Sequence, residues 1–100
     1  MVDLDIPIFK KSYDLYRTMY SYRMDVPKQD RYVLWQRCEE CMLDVLKAIL
    51  IASQNSKEEK LPVLKRASVR LNLLRVFVRL VKDVKAIDNQ KYMTIEAGVD

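Results

Sequence analysis

Apolar residues recur along this chain at intervals of three and four, and no stretch alternates convincingly between apolar and polar. That pattern belongs to amphipathic helix rather than strand, so the chain reads as all-α. A first helix is expected from about Pro7 to Met24. Pro7 suits a first turn, where its missing N–H has no partner to lose. At ~100° per residue, Phe9, Tyr13, Tyr16, Met19, Tyr20 and Met24 gather on one side, widened by Ile8, Leu15 and Tyr22. Asp25-Val26-Pro27 ends the helix, because the residue before a proline is pushed out of helical geometry. A second helix is expected from about Gln29 to Ser53. Its main stripe is Leu34, Cys38, Cys41, Met42, Val45, Ala48, Ile49 and Ala52, and Tyr32, Trp35, Leu43, Leu46 and Leu50 form another beside it.

Gln54-Asn55-Ser56-Lys57 is too short to be anything but the tip of an antiparallel helical hairpin. The third helix is expected over Leu61 to Ile87. Ser56 with Glu59 fits a capping box, while Pro62 fits a first-turn proline, so its start falls between Lys57 and Leu61. A fourth begins at Asp88 or Asn89, either a good N-cap, and carries Tyr92, Met93, Ile95 and Ala97. At ~3.6 residues per turn it is only two or three turns long. The expected architecture is one domain over residues 1–100, an up-down antiparallel four-helix bundle with a short or truncated fourth helix. Either the native chain continues past Asp100, or another subunit covers what that helix leaves open.

The composition supports this and removes most enzyme chemistry. Half of the 100 residues are hydrophobic, with one Gly and three Pro, which excludes disorder and favours long regular elements. There is no His, the commonest general base and zinc ligand, and Gly98 alone cannot make a phosphate-cradling loop. No nucleophile–base pair or carboxylate pair stands at a credible site, so no catalytic residue, cofactor or metal is expected. Cys38 and Cys41 form a Cys-x-x-Cys without a second pair, one turn apart on an apolar helix face, and read as two small core residues. The acidic opening Met1 to Asp5 is unlike a secretory signal, and charges interrupt every apolar run well short of a membrane span. A cytoplasmic protein is the expectation.

Charge concentrates on the third helix. Between Lys60 and Lys85 lie Lys60, Lys65, Arg66, Arg70, Arg75, Arg79, Lys82 and Lys85 against a single acid, Asp83, in a chain of net charge +4. One sign on one long helix suits a polyanion or an acidic partner. The nucleic-acid-binding candidates are Arg66, Arg70, Arg75, Arg79, Lys82 and Lys85. Arg75, Arg79 and Lys82 sit on the narrow polar face, where the bland alternative is a solvated surface with a favourable helix dipole for Lys82 and Lys85. Arg66 and Arg70 fall within the apolar arc and need partners. Folding the hairpin places Arg70 near Glu39, so an Arg70–Glu39 pair is expected, within or between subunits. The rival is that Arg66 and Arg70 line a central basic opening in an oligomer.

The apolar arc of this helix is wider than one core requires. Val63, Ala67, Leu71, Leu74, Val78 and Val81 make one part, and Val69, Leu73, Val76, Phe77, Leu80 and Val84 extend it past a half-turn. A bundle core needs an arc of roughly 100°. The excess points to burial on two sides, one the core and the other a subunit interface. Tyr13, Tyr16, Tyr20, Tyr32 and Trp35 are expected in the core with their polar tips reaching water, rather than as stacking surfaces.

Three stretches resemble a known family. They are Pro7-Ile8-Phe9-Lys10-Lys11-Ser12-Tyr13-Asp14-Leu15-Tyr16; Pro27-Lys28-Gln29-Asp30-Arg31-Tyr32-Val33-Leu34 with Gln36-Arg37 and Glu39-Glu40; and Ala67-Ser68-Val69-Arg70-Leu71 with Leu74-Arg75, Arg79-Leu80 and Tyr92 after it. They are similar to small bacterial four-helix-bundle proteins that include the accessory variability determinants of diversity-generating retroelements and proteins encoded in intervening sequences of large-subunit ribosomal RNA genes. The resemblance implies an up-down bundle assembled as a homopentamer with a basic surface. For the retroelement members it implies binding to a reverse transcriptase and to RNA or DNA. Two departures stand out: Trp35 occupies a position where many relatives have a small residue, and the fourth helix stops early. The leading expectation is a non-catalytic accessory protein that holds nucleic acid and a reverse transcriptase. The alternatives are a ribosomal-RNA intervening-sequence-type RNA-binding bundle, or a structural oligomer whose charge serves solubility.

Overall fold

The computed structural model describes residues 7–99, and every regular element among them is helical: α1 (Pro7–Tyr22), a single 3-10 turn (Arg23–Asp25), α2 (Lys28–Arg31), α3 (Leu34–Gln54), α4 (Lys57–Asp83) and α5 (Asn89–Val99). The four long helices pack as a closed ring, α1 on α3, α3 on α4, α4 on α5 and α5 on α1, in an up-down antiparallel four-helix bundle. The acidic opening Met1 to Asp5, and any course of the chain at Asp100, lie outside the described residues.

Local chemistry sets the boundaries. α1 starts at Pro7 and ends at Tyr22, two residues before the expected Met24, because the chain tightens into the 3-10 turn. Val26 is then extended (φ −78°, ψ 133°), as its place before Pro27 requires, and its side chain is buried. The expected continuous helix from Gln29 to Ser53 is broken. One turn of α2 hangs from the Pro27 carbonyl, Tyr32 and Val33 leave helical geometry, and α3 begins at Leu34. Arg31 stands at the break. Its guanidinium donates to the carbonyls of Arg23 (3.1 Å), Met24 (3.3 Å) and Val26 (3.1 Å), fastening the connection across its own hairpin.

Ser56 decides the start of α4. Its hydroxyl accepts from the Glu59 amide (3.3 Å) and donates to the Glu59 carboxylate (2.8 Å). Pro62 therefore lies inside the helix rather than in its first turn, where it withholds one N–H from the ladder. The helix ends at Asp83, short of the expected Ile87. Lys85 takes φ 63°, the Ala86 amide donates to Val81 O (2.9 Å) and the Lys85 amide to Lys82 O (2.9 Å). This is a Schellman closure with lysine where glycine is usual. Asp88 caps α5 by accepting from the Lys91 amide at 2.8 Å.

The core runs along the facing stripes of α3 and α4: Trp35, Cys38, Met42 and Val45 against Leu74, Val78 and Val81, closed by Met19 and Ile95. At ~1.5 Å per residue, 27-residue α4 spans ~40 Å of the 43 Å long axis, whereas the 11 residues of α5 span ~16 Å. Among the described residues, no helix covers the side of the bundle beyond α5. A 270 Å³ groove there is floored by Met42, Val45 and Ile49 and bordered by Leu64 and Gly98.

Candidate nucleic-acid interface

The expected Arg70–Glu39 pair does not form. Glu39 is buried at 5% exposure and is held by Arg23, whose Nε reaches both carboxylate oxygens at 3.1 Å and whose Nη2 reaches Oε2 at 2.9 Å. The 3-10 turn after α1 swings Arg23 over α3, so Glu39 is satisfied from α1 rather than across the α3–α4 hairpin. Arg70 instead meets Asp44 at 3.5 Å, both side chains about half exposed. Such a surface pair contributes at most ~1 kcal/mol.

The six candidate cations do not form one cluster. Core residues Ala67, Leu74, Val78 and Val81 fix the inward face of α4. Opposite them, Val69, Val76 and Leu80 face outward at 65%, 62% and 41% exposure. At ~100° per residue, Arg66 and Arg70 flank this apolar stripe on one side, and Arg75 and Arg79 flank it on the other. Arg66 and Arg70, though within the apolar arc of the wheel, are both exposed. They border a 260 Å³ cavity shared with Asp44, Lys47 and Ile51 of α3. Arg75 donates to Asn72 Oδ1 at 2.7 Å, and Arg79 to Asp83 at 3.1 Å. Lys82 lies 4.5 Å from the centroid of the Tyr92 ring on α5, and Lys85 projects from the α4–α5 corner. Among the six, Arg66, Lys82 and Lys85 have no hydrogen-bond or ion-pair partner among the described residues, Lys82 having its ring contact alone. The arrangement is two basic rows about an apolar strip, running ~20 Å from Arg66 to Arg79, with two lysines at its end.

The aromatic residues depart from expectation. Trp35 is fully buried and its indole N–H has no acceptor among the described residues. Tyr13, Tyr20 and Tyr32, by contrast, are 49%, 56% and 64% exposed and are not core residues, and Met24 is exposed as well. The face that α1 buries is Ser12, Leu15 and Met19. Tyr16 and Tyr32 share a 330 Å³ cleft with Arg23, Arg31 and Glu39.

Cys38 and Cys41 are buried free thiols, and burial pushes Cys38 up to about 12. No group of three His, Cys, Asp or Glu side chains able to hold a metal occurs among the described residues. No helix among them is long and apolar enough to cross a membrane. In sequence, no curated protein matches the chain. A family model described as bAvd-like matches residues 7–100. With the four-helix bundle in place over nearly the whole of that range, the chain belongs to the bAvd-like family.

Proposed function

We propose that this protein is a non-catalytic accessory protein that binds RNA or DNA, and with it a reverse transcriptase, in a diversity-generating retroelement. The observation that carries the reading is the outward face of α4. Arg66 and Arg70 on one flank and Arg75 and Arg79 on the other frame a strip of exposed Val69, Val76 and Leu80. Membership of the bAvd-like family supports the retroelement setting, and Lys82 and Lys85 extend the basic surface to the α4–α5 corner.

In this reading the two halves of the face have different work. An apolar strip lies between two rows of arginines, with Lys65 and Asp83 beside it, and apolar surface bordered by charge is how a subunit contact with a polar rim is composed. The apolar strip joins copies of the chain, as a homopentamer by family likeness, and the arginines at its edges hold phosphates by charge and hydrogen bonding. A cytoplasmic location follows from that role.

The test is fluorescence anisotropy of labelled RNA and DNA oligomers titrated with the protein at several salt concentrations. Binding with a steep salt dependence is expected, about 0.7 to 0.9 per phosphate neutralised. Arg75→Glu with Arg79→Glu should flatten that slope. No binding at low salt sinks the nucleic-acid reading. Light scattering on the purified chain checks the subunit number, and co-purification with the reverse transcriptase of the same retroelement checks the second partner.

A further inference from the structure

The exposed tyrosines of α1 stand in a pattern of their own. Lys10, Tyr13, Arg17 and Tyr20 follow one another at intervals of three and four and are all exposed. At ~100° per residue they occupy an arc of about 80°, on the side away from buried Leu15. Aromatic and basic side chains therefore alternate up one solvent-facing stripe, about 15 Å long. Neither Lys10 nor Arg17 has a hydrogen-bond or ion-pair partner among the described residues. No acid falls in the arc. Asp14 lies beside it, lining the groove towards α5 with Lys10, Lys11 and Thr94.

The two rings are held in place. Tyr13 lies against Phe9 with ring centroids 6.3 Å apart and planes 23° from parallel. Tyr20 packs at 6.4 Å against Tyr16 and carries the Arg23 guanidinium 4.6 Å from its centroid. Arg23 is fixed in turn by buried Glu39. An aromatic that is already ordered and still half exposed loses little entropy when another ring stacks on it.

We propose that the α1 stripe binds single-stranded nucleic acid, with Tyr13 and Tyr20 stacking unpaired bases and Lys10 and Arg17 neutralising the adjoining phosphates. The inference rests on the nucleic-acid reading above and adds to it a second surface and a strandedness. Tyr13 and Tyr20 are ~10 Å apart along the helix, room for about three nucleotides at ~3.4 Å each. A duplex hides the faces of its bases, so stacking of this kind selects single strands. A protein partner is the alternative occupant, since interfaces enrich tyrosine and arginine, but the lysine depleted there sides with a polyanion.

The experiment uses the full chain and two labelled probes, an oligo(U) of about 12 nucleotides and a mixed-sequence duplex of the same length. Tyr13→Ala and Tyr20→Ala should each weaken oligo(U) binding roughly tenfold or more, with the salt slope and the duplex affinity unchanged. Lys10→Ala with Arg17→Ala should lower the oligo(U) salt slope by about 1.4. Circular-dichroism melts confirm that these surface variants fold. As a check without substitution, photocrosslinking to 5-bromouridine oligomers should label peptides containing Tyr13 or Tyr20. Oligo(U) binding that survives both tyrosine changes but is lost in Arg75→Glu/Arg79→Glu overturns the α1 site and leaves the α4 reading standing. Equal losses for duplex and single strand also overturn it. Absence of binding to either probe overturns both readings.

Discussion

Removing Arg23 should cost this fold more than removing any other single cation. Its partner Glu39 sits on the inner side of α3 at 5% exposure, and Arg23 supplies three N–H contacts to it at 2.9 to 3.1 Å. The same guanidinium covers Tyr20 at 4.6 Å. The hydrogen bonds to Glu39 raise the pKa of Arg23, so the guanidinium stays charged. Breaking a buried pair by deleting one member typically costs ~3–5 kcal/mol, because the remaining charge is stranded. Arg23 itself is one third exposed, so water can enter part of the vacated space. That argues for the lower end, about 3 kcal/mol for Arg23→Ala.

The reasoning predicts asymmetry. Arg23→Ala with Glu39→Leu removes the stranded carboxylate and should recover about 2 kcal/mol of that loss, since an apolar replacement of a buried pair is often neutral. Urea denaturation of wild type, both single variants and the double variant closes the cycle. A loss below about 1 kcal/mol for Arg23→Ala, or a double variant no more stable than Arg23→Ala, would refute the claim that Glu39 is a buried charge dependent on this arginine. Arg70→Ala is the control. Its contact with Asp44 is 3.5 Å long and half exposed, so its loss should cost less than about 1 kcal/mol.

Three further outcomes follow from local geometry. Lys85 has φ 63° at the closing position of α4, so Lys85→Gly should raise stability by about 1 kcal/mol in thermal melts, while its lost charge should weaken oligonucleotide binding. Trp35→Phe leaves a smaller ring but removes an indole N–H with no acceptor among the described residues, and should cost far less than the ~3–5 kcal/mol typical of a large core truncation, as read from urea midpoints. Burial pushes Cys38 up to about 12, so the unfolded chain, with an ordinary thiol near ~8.5, ionises first. Its contribution is intact below pH ~8.5 and falls by about 1.4 kcal/mol per pH unit towards pH 12; Cys38→Ala should show a shallower decline between pH 9 and 10 than wild type.

The inward stripes of α3 and α4 were legible because periodicity over 21 and 27 residues averages out single misplacements. α1 was not. Counting its tyrosines as apolar rotates the expected buried face by roughly 100°, from Ser12, Leu15 and Met19 towards Tyr13 and Tyr20. A tyrosine is amphipathic and follows whichever face the aliphatic residues choose. Leu15 and Met19 were the better guides. The break at Tyr32 and Val33 left no periodic trace either, because apolar spacing runs through it unchanged. Only the Arg31 bonds to three carbonyls mark it, and a side chain reaching back five to eight residues has no signature in a wheel. The partner of Glu39 was missed for a related reason. Hairpin register points to Arg70, but the 3-10 turn that carries Arg23 across α3 depends on where α1 stops.

The basic residues of α4 were found by charge alone, yet their arrangement relative to the apolar strip decides what they can do. Val69, Val76 and Leu80 form an exposed strip on the outward face, with Lys65 and Asp83 beside it and the arginines at its margins. If the strip is the contact between subunits, covering it leaves the marginal cations at the rim, where several copies present their rows side by side and bind one polyanion with the benefit of multivalency. Assembly and binding then separate in one direction only. Arg75→Glu with Arg79→Glu should abolish most salt-dependent binding and leave the particle size by light scattering unchanged, because rim charges contribute little to association. Val76→Glu should reduce the particle to a monomer and weaken oligonucleotide binding as well, by about tenfold or more once multivalency is gone. A monomeric Val76→Glu that binds as tightly as wild type would show that the arginines act singly. A wild-type chain that is itself monomeric at working concentration would leave the exposed valines without a role in assembly.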